Sequence, residues 1–156
     1  MDHNISHLLE KLKSEDETVR QYATAQLWRI WFQQKGIWGL EQLRRAQKLM
    51  DQGNLEQAEY LLSEVIADNP TFAEARNRRA VLYYLWGDYE KSRADCLEVV
   101  HLNQFHFGAW HGLGLCHAAL GDYRDAIAAF RKALKIQPYA LINQKLILEC
   151  TAKLND

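Results

Sequence analysis

The chain has 156 residues, the length of one compact domain or one short repeat array, and can bury about 70% of its unfolded surface without disulfides or metal. With 48% hydrophobic and 25% charged residues, and 19 Lys plus Arg against 20 Asp plus Glu for a net charge of -1, it is neither a disordered chain nor the strongly basic surface of a dedicated nucleic-acid binder. Two prolines and eight glycines, with few β-branched residues, favour helix throughout. No window approaches the ~18 apolar residues of a membrane span, and Met1-Asp2-His3-Asn4 lacks a signal-peptide pattern. The widely spaced Cys96, Cys116 and Cys150 fit free thiols in a reduced compartment. The expected location is the cytoplasm, or the plastid stroma if a transit peptide has been removed.

Taken in chain order, residues 1–38 form a helical extension. Ile5 to Leu12 reads as a short helix, Ser14 with Glu17 as a capping box, and Val19 to Gln34 as a longer helix. Leu27, Ile30, Trp31 and Trp38 need an apolar cover, so the pair is expected to cap the front of a helical array. Beyond residue 38 the chain carries three turns, Gly53-Asn54-Leu55, Gly87-Asp88-Tyr89 and Gly121-Asp122-Tyr123, 34 residues apart both times. Such a period is the mark of a solenoid. In each turn a left-handed glycine ends one helix and the following Asn or Asp can cap the next. The units run 39–72, 73–106 and 107–140, and Thr71 with Glu74 reads as a capping box opening the second. Residues 141–156 form a C-terminal capping helix with Ile142, Leu146 and Cys150 on its apolar stripe.

The third unit carries Trp110-x-x-Leu113-Gly114-x-x-His117, then Gly121-Asp122-Tyr123, Ala126, Phe130, Ala133 and Pro138. This resembles the tetratricopeptide repeat, with His117 where that family usually has Tyr. The first unit keeps Ala46, Leu49, Gly53, Ala58, Leu62 and Pro70. The second keeps Ala80, Tyr83 and Gly87, but sets Arg76 and Arg79 at large apolar positions and Ser92 at a small one. The extension resembles a single HEAT-like hairpin. The resemblance implies an all-α, right-handed α-solenoid of helix-turn-helix repeats closed by a capping helix.

Little in the sequence points to catalysis. Gly112-x-Gly114 sits inside a helical pattern with no strand before it, and His101, His106 and His111, five apart, do not share a helical face. The expectation is no enzyme, no metal and no cofactor. What the resemblance implies is a non-catalytic adaptor that holds a peptide or helix of a protein partner in a concave groove. Carried over by position, that groove contains Leu43, Arg44, Gln47, Asn77, Arg78, Val81, Tyr84, His111 and Leu115. Some members of the family grip a C-terminal carboxylate with five polar residues. At those positions this chain has Leu43, Gln47, Asn77 or Arg78, Gly108 and Gly112, so the carboxylate clamp is mostly missing. Trp28 and Phe32, four apart on one helical face, suggest an aromatic anchor and an alternative role as a self-associating scaffold, a homo-oligomer. A third reading is a small-molecule or pigment carrier using the aromatic residues.

Overall fold

A computed structural model describes residues 2–156, and among the described residues there are nine α-helices and no strand. The helices are α1 (His3–Lys11), α2 (Glu17–Phe32), α3 (Gly36–Asp51), α4 (Leu55–Asp68), α5 (Ala73–Leu85), α6 (Tyr89–Leu102), α7 (Phe107–Ala119), α8 (Tyr123–Ile136) and α9 (Leu141–Leu154). No helix among the described residues is long and apolar enough to cross a membrane. The pairs α3/α4, α5/α6 and α7/α8 are antiparallel hairpins stacked in sequence, with α9 against α8.

The turn logic holds at the glycines and only partly at the caps. Gly53, Gly87 and Gly121 stand at φ 78°, 81° and 82°, the left-handed region where a Cβ is strained. Of the residues after them, Asp88 caps its helix, accepting from the Lys91 amide at 3.2 Å, whereas Asp122 is held instead by Arg93 at 2.8 Å. The expected capping box at Thr71 and Glu74 does not form. Phe72 is the N-cap of α5 with no side-chain cap bond, Thr71 Oγ1 accepts from Lys35 Nζ at 3.2 Å, and Glu74 turns inward to His106. At α2 the cap is Asp16, which accepts from the Thr18 amide at 2.9 Å.

Each hairpin keeps its small residues where the helices approach. In the third, Phe130 is fully buried, and a Cβ on Gly114 would lie 2.4 Å from its ring. In the second, the apolar position taken by Arg79 is filled by a bidentate bridge, with Nε and Nη2 each 2.8 Å from an Asp95 oxygen and Nη1 3.1 Å from Ser63 Oγ. Ser92, in place of Ala, donates to the Ala80 carbonyl at 2.7 Å. The stripe expected on α9 is displaced: Asn143 and Cys150 are buried and Leu146 and Ile147 half-buried, while Ile142 is 50% exposed.

His117 is half-buried with Nδ1 lacking a partner, and burial lowers its pKa from the ordinary 6.5. A base whose pKa is depressed on folding takes up its proton more readily when unfolded, so its contribution is intact above about 6.5 and is lost as pH falls below it. His117→Tyr, restoring the family's usual residue, is expected to flatten the acid limb of a stability-against-pH curve. An unchanged slope would show that His117 does not contribute.

The extension does not cap the front of the array. α2 lies instead as a strap across the loops that join successive hairpins. Near its start Thr24 Oγ1 meets Gln137 Nε2 at 3.4 Å and Arg20 lies 4.1 Å over the Tyr139 ring. In its last turns Trp28 and Trp31 rest on His106 and Phe107. Just beyond its end, Gln34 Nε2 donates to the Thr71 carbonyl at 3.1 Å. α2 thus crosses the loops after α8, α6 and α4 in turn, opposite to their order in the chain. α1 follows it, with Leu8, Leu9 and Leu12 in one cluster with Leu27, Trp31, Phe107, Phe105 and Ile136. A helix burying Ala23, Leu27 and Trp31 together needs apolar surface longer than one repeat end provides.

Candidate functional site: a concave cleft between two repeats

The first helices of the repeats, α3, α5 and α7, lie side by side, α5 in contact with both others. Between α5 and α7 lies a cleft of about 200 Å³ lined by Asn77, Val81, Tyr84, Leu85, His111 and Leu115, with Ala80, Ser92, Cys96, Gly108 and Gly112 also in its walls. Val81 is 39% and Leu85 67% exposed, an apolar rim in contact with water. Burial raises the Tyr84 pKa, and its ring lies 5.2 Å from that of Tyr89.

His111 Nδ1 lies 2.8 Å from Asn143 Oδ1. Because Asn143 Nδ2 donates to the Ala140 carbonyl, its Oδ1 accepts, so His111 Nδ1 carries the hydrogen and Nε2 remains an acceptor. Cys96 is held above the ordinary thiol pKa by its hydrogen bond with Cys116 and by burial. Its partner Cys116 is shifted the other way, lowered to about 7 by the same hydrogen bond, with burial opposing.

Of the residues expected in the groove, the structure brings Asn77, Val81, Tyr84, His111 and Leu115 together. The other four lie elsewhere. Leu43 is buried in the core with Leu62, Val65 and Phe72, because its position on α3 faces α4 and α5. Gln47 and Arg78 bind each other: Arg78 Nη1 donates to Gln47 Oε1 at 2.6 Å, and Gln47 Nε2 donates to Asp51 at 2.7 Å. Burial lowers the Arg78 pKa, with Glu74 and Asp51 acting in the opposite direction. Arg44 is exposed and lines no part of the cleft. Two clamp positions are closed as well. A Cβ on Gly108 would strike the Trp28 ring at 2.7 Å, and one on Gly112 would press Cys96 Sγ at 3.3 Å.

The proposed anchor is folded inward. Trp28 and Phe32 are half-buried and stack on each other at 5.6 Å. Trp28 also meets Trp31 edge-on at 5.5 Å, so rings three apart reach one patch of α7 by standing at right angles to each other. Trp38, on α3, is 45% exposed.

Glu74 and His106, which the sequence does not bring together, form a buried pair. Glu74 is 1% exposed and His106 0%. The Ala109 amide donates to His106 Nδ1 at 2.9 Å, which leaves the ring hydrogen on Nε2 to donate to Glu74 Oε1. Trp31 stacks on the imidazole at 4.6 Å. No local motif marks the pair, since its partners come from α2, α5 and the start of α7.

Stacked helical hairpins around a concave face define a helical-repeat protein. Models of the tetratricopeptide repeat match residues 43–106 and 108–139, and the chain belongs to that family. It is 29% identical over 135 residues to a TPR repeat-containing protein of Rhizobium etli, covering 86% of this chain and 66% of that protein. A TPR repeat-containing protein of Methanocaldococcus jannaschii is 31% identical over 98 residues, covering 63% of this chain and 30% of that one. The chain therefore spans less than two thirds of either relative. Among solved structures, the first TPR domain of Spaghetti (RPAP3) bound to the HSP90 peptide SRMEEVD superposes with a TM-score of 0.72 at 19% identity, covering 75% of this chain and 93% of that one.

Proposed function

We propose that the chain is a non-catalytic interaction adaptor that binds a short segment of a protein partner in the cleft between α5 and α7. One observation carries this reading: five residues drawn from two repeats, three apolar or aromatic (Val81, Tyr84, Leu115) and two polar (Asn77, His111), converge on one cleft with an exposed apolar rim. Apolar contact with a few fixed polar groups is the chemistry of peptide recognition. The Spaghetti (RPAP3) domain holds an HSP90 peptide, but an acidic C-terminal tail is a poor candidate here. Leu43, Gly108 and Gly112 supply no cation, and Arg78 is engaged by Gln47. The preferred segment is instead apolar at its centre. The self-associating scaffold reading loses its main support, because Trp28 and Phe32 pack within the chain.

Peptide-display selection on the immobilised chain, followed by titration of the recovered peptide, tests this. Val81→Glu with Leu85→Glu is expected to weaken binding by about 1–3 kcal/mol, roughly 10- to 100-fold, with little change in melting temperature because both positions are exposed. A peptide that binds this variant as tightly as the parent places the site elsewhere.

A further inference from the structure

The surface beneath α2 is built of Glu74, Arg78, His106, Phe107 and Gly108. Within the repeats, small residues and rings interlock, as at Gly114 and Phe130. Along the strap the inner face interlocks too, at Trp28 and Gly108, but its edges are open. Clefts of about 580, 330 and 400 Å³ lie between the extension and the loops it crosses: one by Ile30, Trp31 and Phe105, one by Leu9, Phe105 and Ile136, and one by Arg20, Thr24 and Gln137. The polar ties are few, and one is as long as 3.4 Å.

Two polar atoms under the strap are buried without partners, Glu74 Oε2 and Arg78 Nε. Arg78 lies 5.9 Å from the Phe32 ring, so α2 sets an aromatic face where the guanidinium could take an acceptor. A buried carboxylate oxygen and a buried guanidinium N–H left unpaired are costly. A different helix offering a donor to the first and an acceptor to the second would gain contacts that α2 does not make. That difference is what lets one occupant displace another.

We infer that this surface is a second binding site, for an amphipathic helix of a protein partner carrying two large aromatic residues three apart, and that α2 fills it in cis until such a helix displaces it. The occupant is set by what already sits there. Trp28 needs the absence of a side chain at Gly108, and Trp31 needs the flat face of His106 held by Glu74 and the Ala109 amide. This site stands whether or not the α5–α7 cleft binds an extended segment.

The test uses the full chain and a fluorescent peptide of residues 17–34. A saturable rise in anisotropy is expected, absent for the peptide carrying Trp28→Ala and Trp31→Ala. Leu9→Ala loosens α1 against Phe105 and Ile136 and replaces none of the receiving residues, so it should tighten peptide binding about tenfold by weakening the cis competitor. Should that variant fold poorly, Arg20→Ala with Thr24→Ala weakens the other end of the strap and should act in the same direction. Val81→Glu with Leu85→Glu should leave peptide binding unchanged, which separates this site from the cleft. No saturable binding to the parent or a folded strap variant up to about 100 µM, or binding that survives loss of both tryptophans, overturns the inference.

Discussion

Phe130→Ala is expected to destabilise the chain by about 3–5 kcal/mol, through lost burial and the cavity left behind. Phe130 is wholly enclosed between α7, α8 and α9, in one cluster with Ala126, Ile127 and Cys150, and its ring fills the space that the absent Gly114 side chain leaves. The neighbours cannot collapse into the gap without moving α9. Thermal or urea unfolding reads the result, with the midpoint falling and the helical signal of the folded state kept. The complementary Gly114→Leu should also destabilise by overpacking against the same ring. A chain that melts like the parent in both variants would mean that α7 and α8 do not pack in this register.

The second large effect concerns the Arg79–Asp95 bridge. Asp95→Ala leaves a guanidinium facing Ser63 without its hydrogen-bonded carboxylate, and removing one member of a mostly buried pair costs about 3–5 kcal/mol. The attraction is strong enough that hydrogen bonding to Asp95 raises the Arg79 pKa. Replacing both with apolar residues should be nearly neutral or stabilising, because no charge is then left buried without a partner. Arg79→Leu with Asp95→Leu, compared with each single change in a double-mutant cycle, separates the cases. Equal losses in the double variant and in Asp95→Ala would show that the bridge specifies the packing of α5 against α6 in a way that apolar side chains cannot replace.

The repeats are legible in the sequence because their signals are periodic and local. Gly53, Gly87 and Gly121 repeat at a fixed spacing, and each closes a helix within its own turn. The extension is legible as two helices but not in its placement. Sequence spacing says that Leu27 and Trp31 need a cover, yet the cover comes from His106 and Phe107, more than seventy residues away. A pattern within one helix cannot name such a partner. Glu74 escapes a local reading for the same reason, since the logic of a capping box competes with a buried histidine at the far end of the same unit. In the groove, Val81, Tyr84, His111 and Leu115 follow from repeat position alone. Leu43 and Arg78 do not, because a core contact and the Gln47 hydrogen bond claim their side chains.

Site-specific photo-crosslinking tests the central claim most directly. A benzophenone side chain is placed at Leu85, on the rim of the cleft, or at the similarly exposed Leu97 on α6, and each chain is irradiated with the peptide recovered by display. Binding in the cleft predicts an adduct from position 85, suppressed by excess unlabelled peptide, and none from position 97. Adducts from position 97 alone, or equally from both, would contradict it.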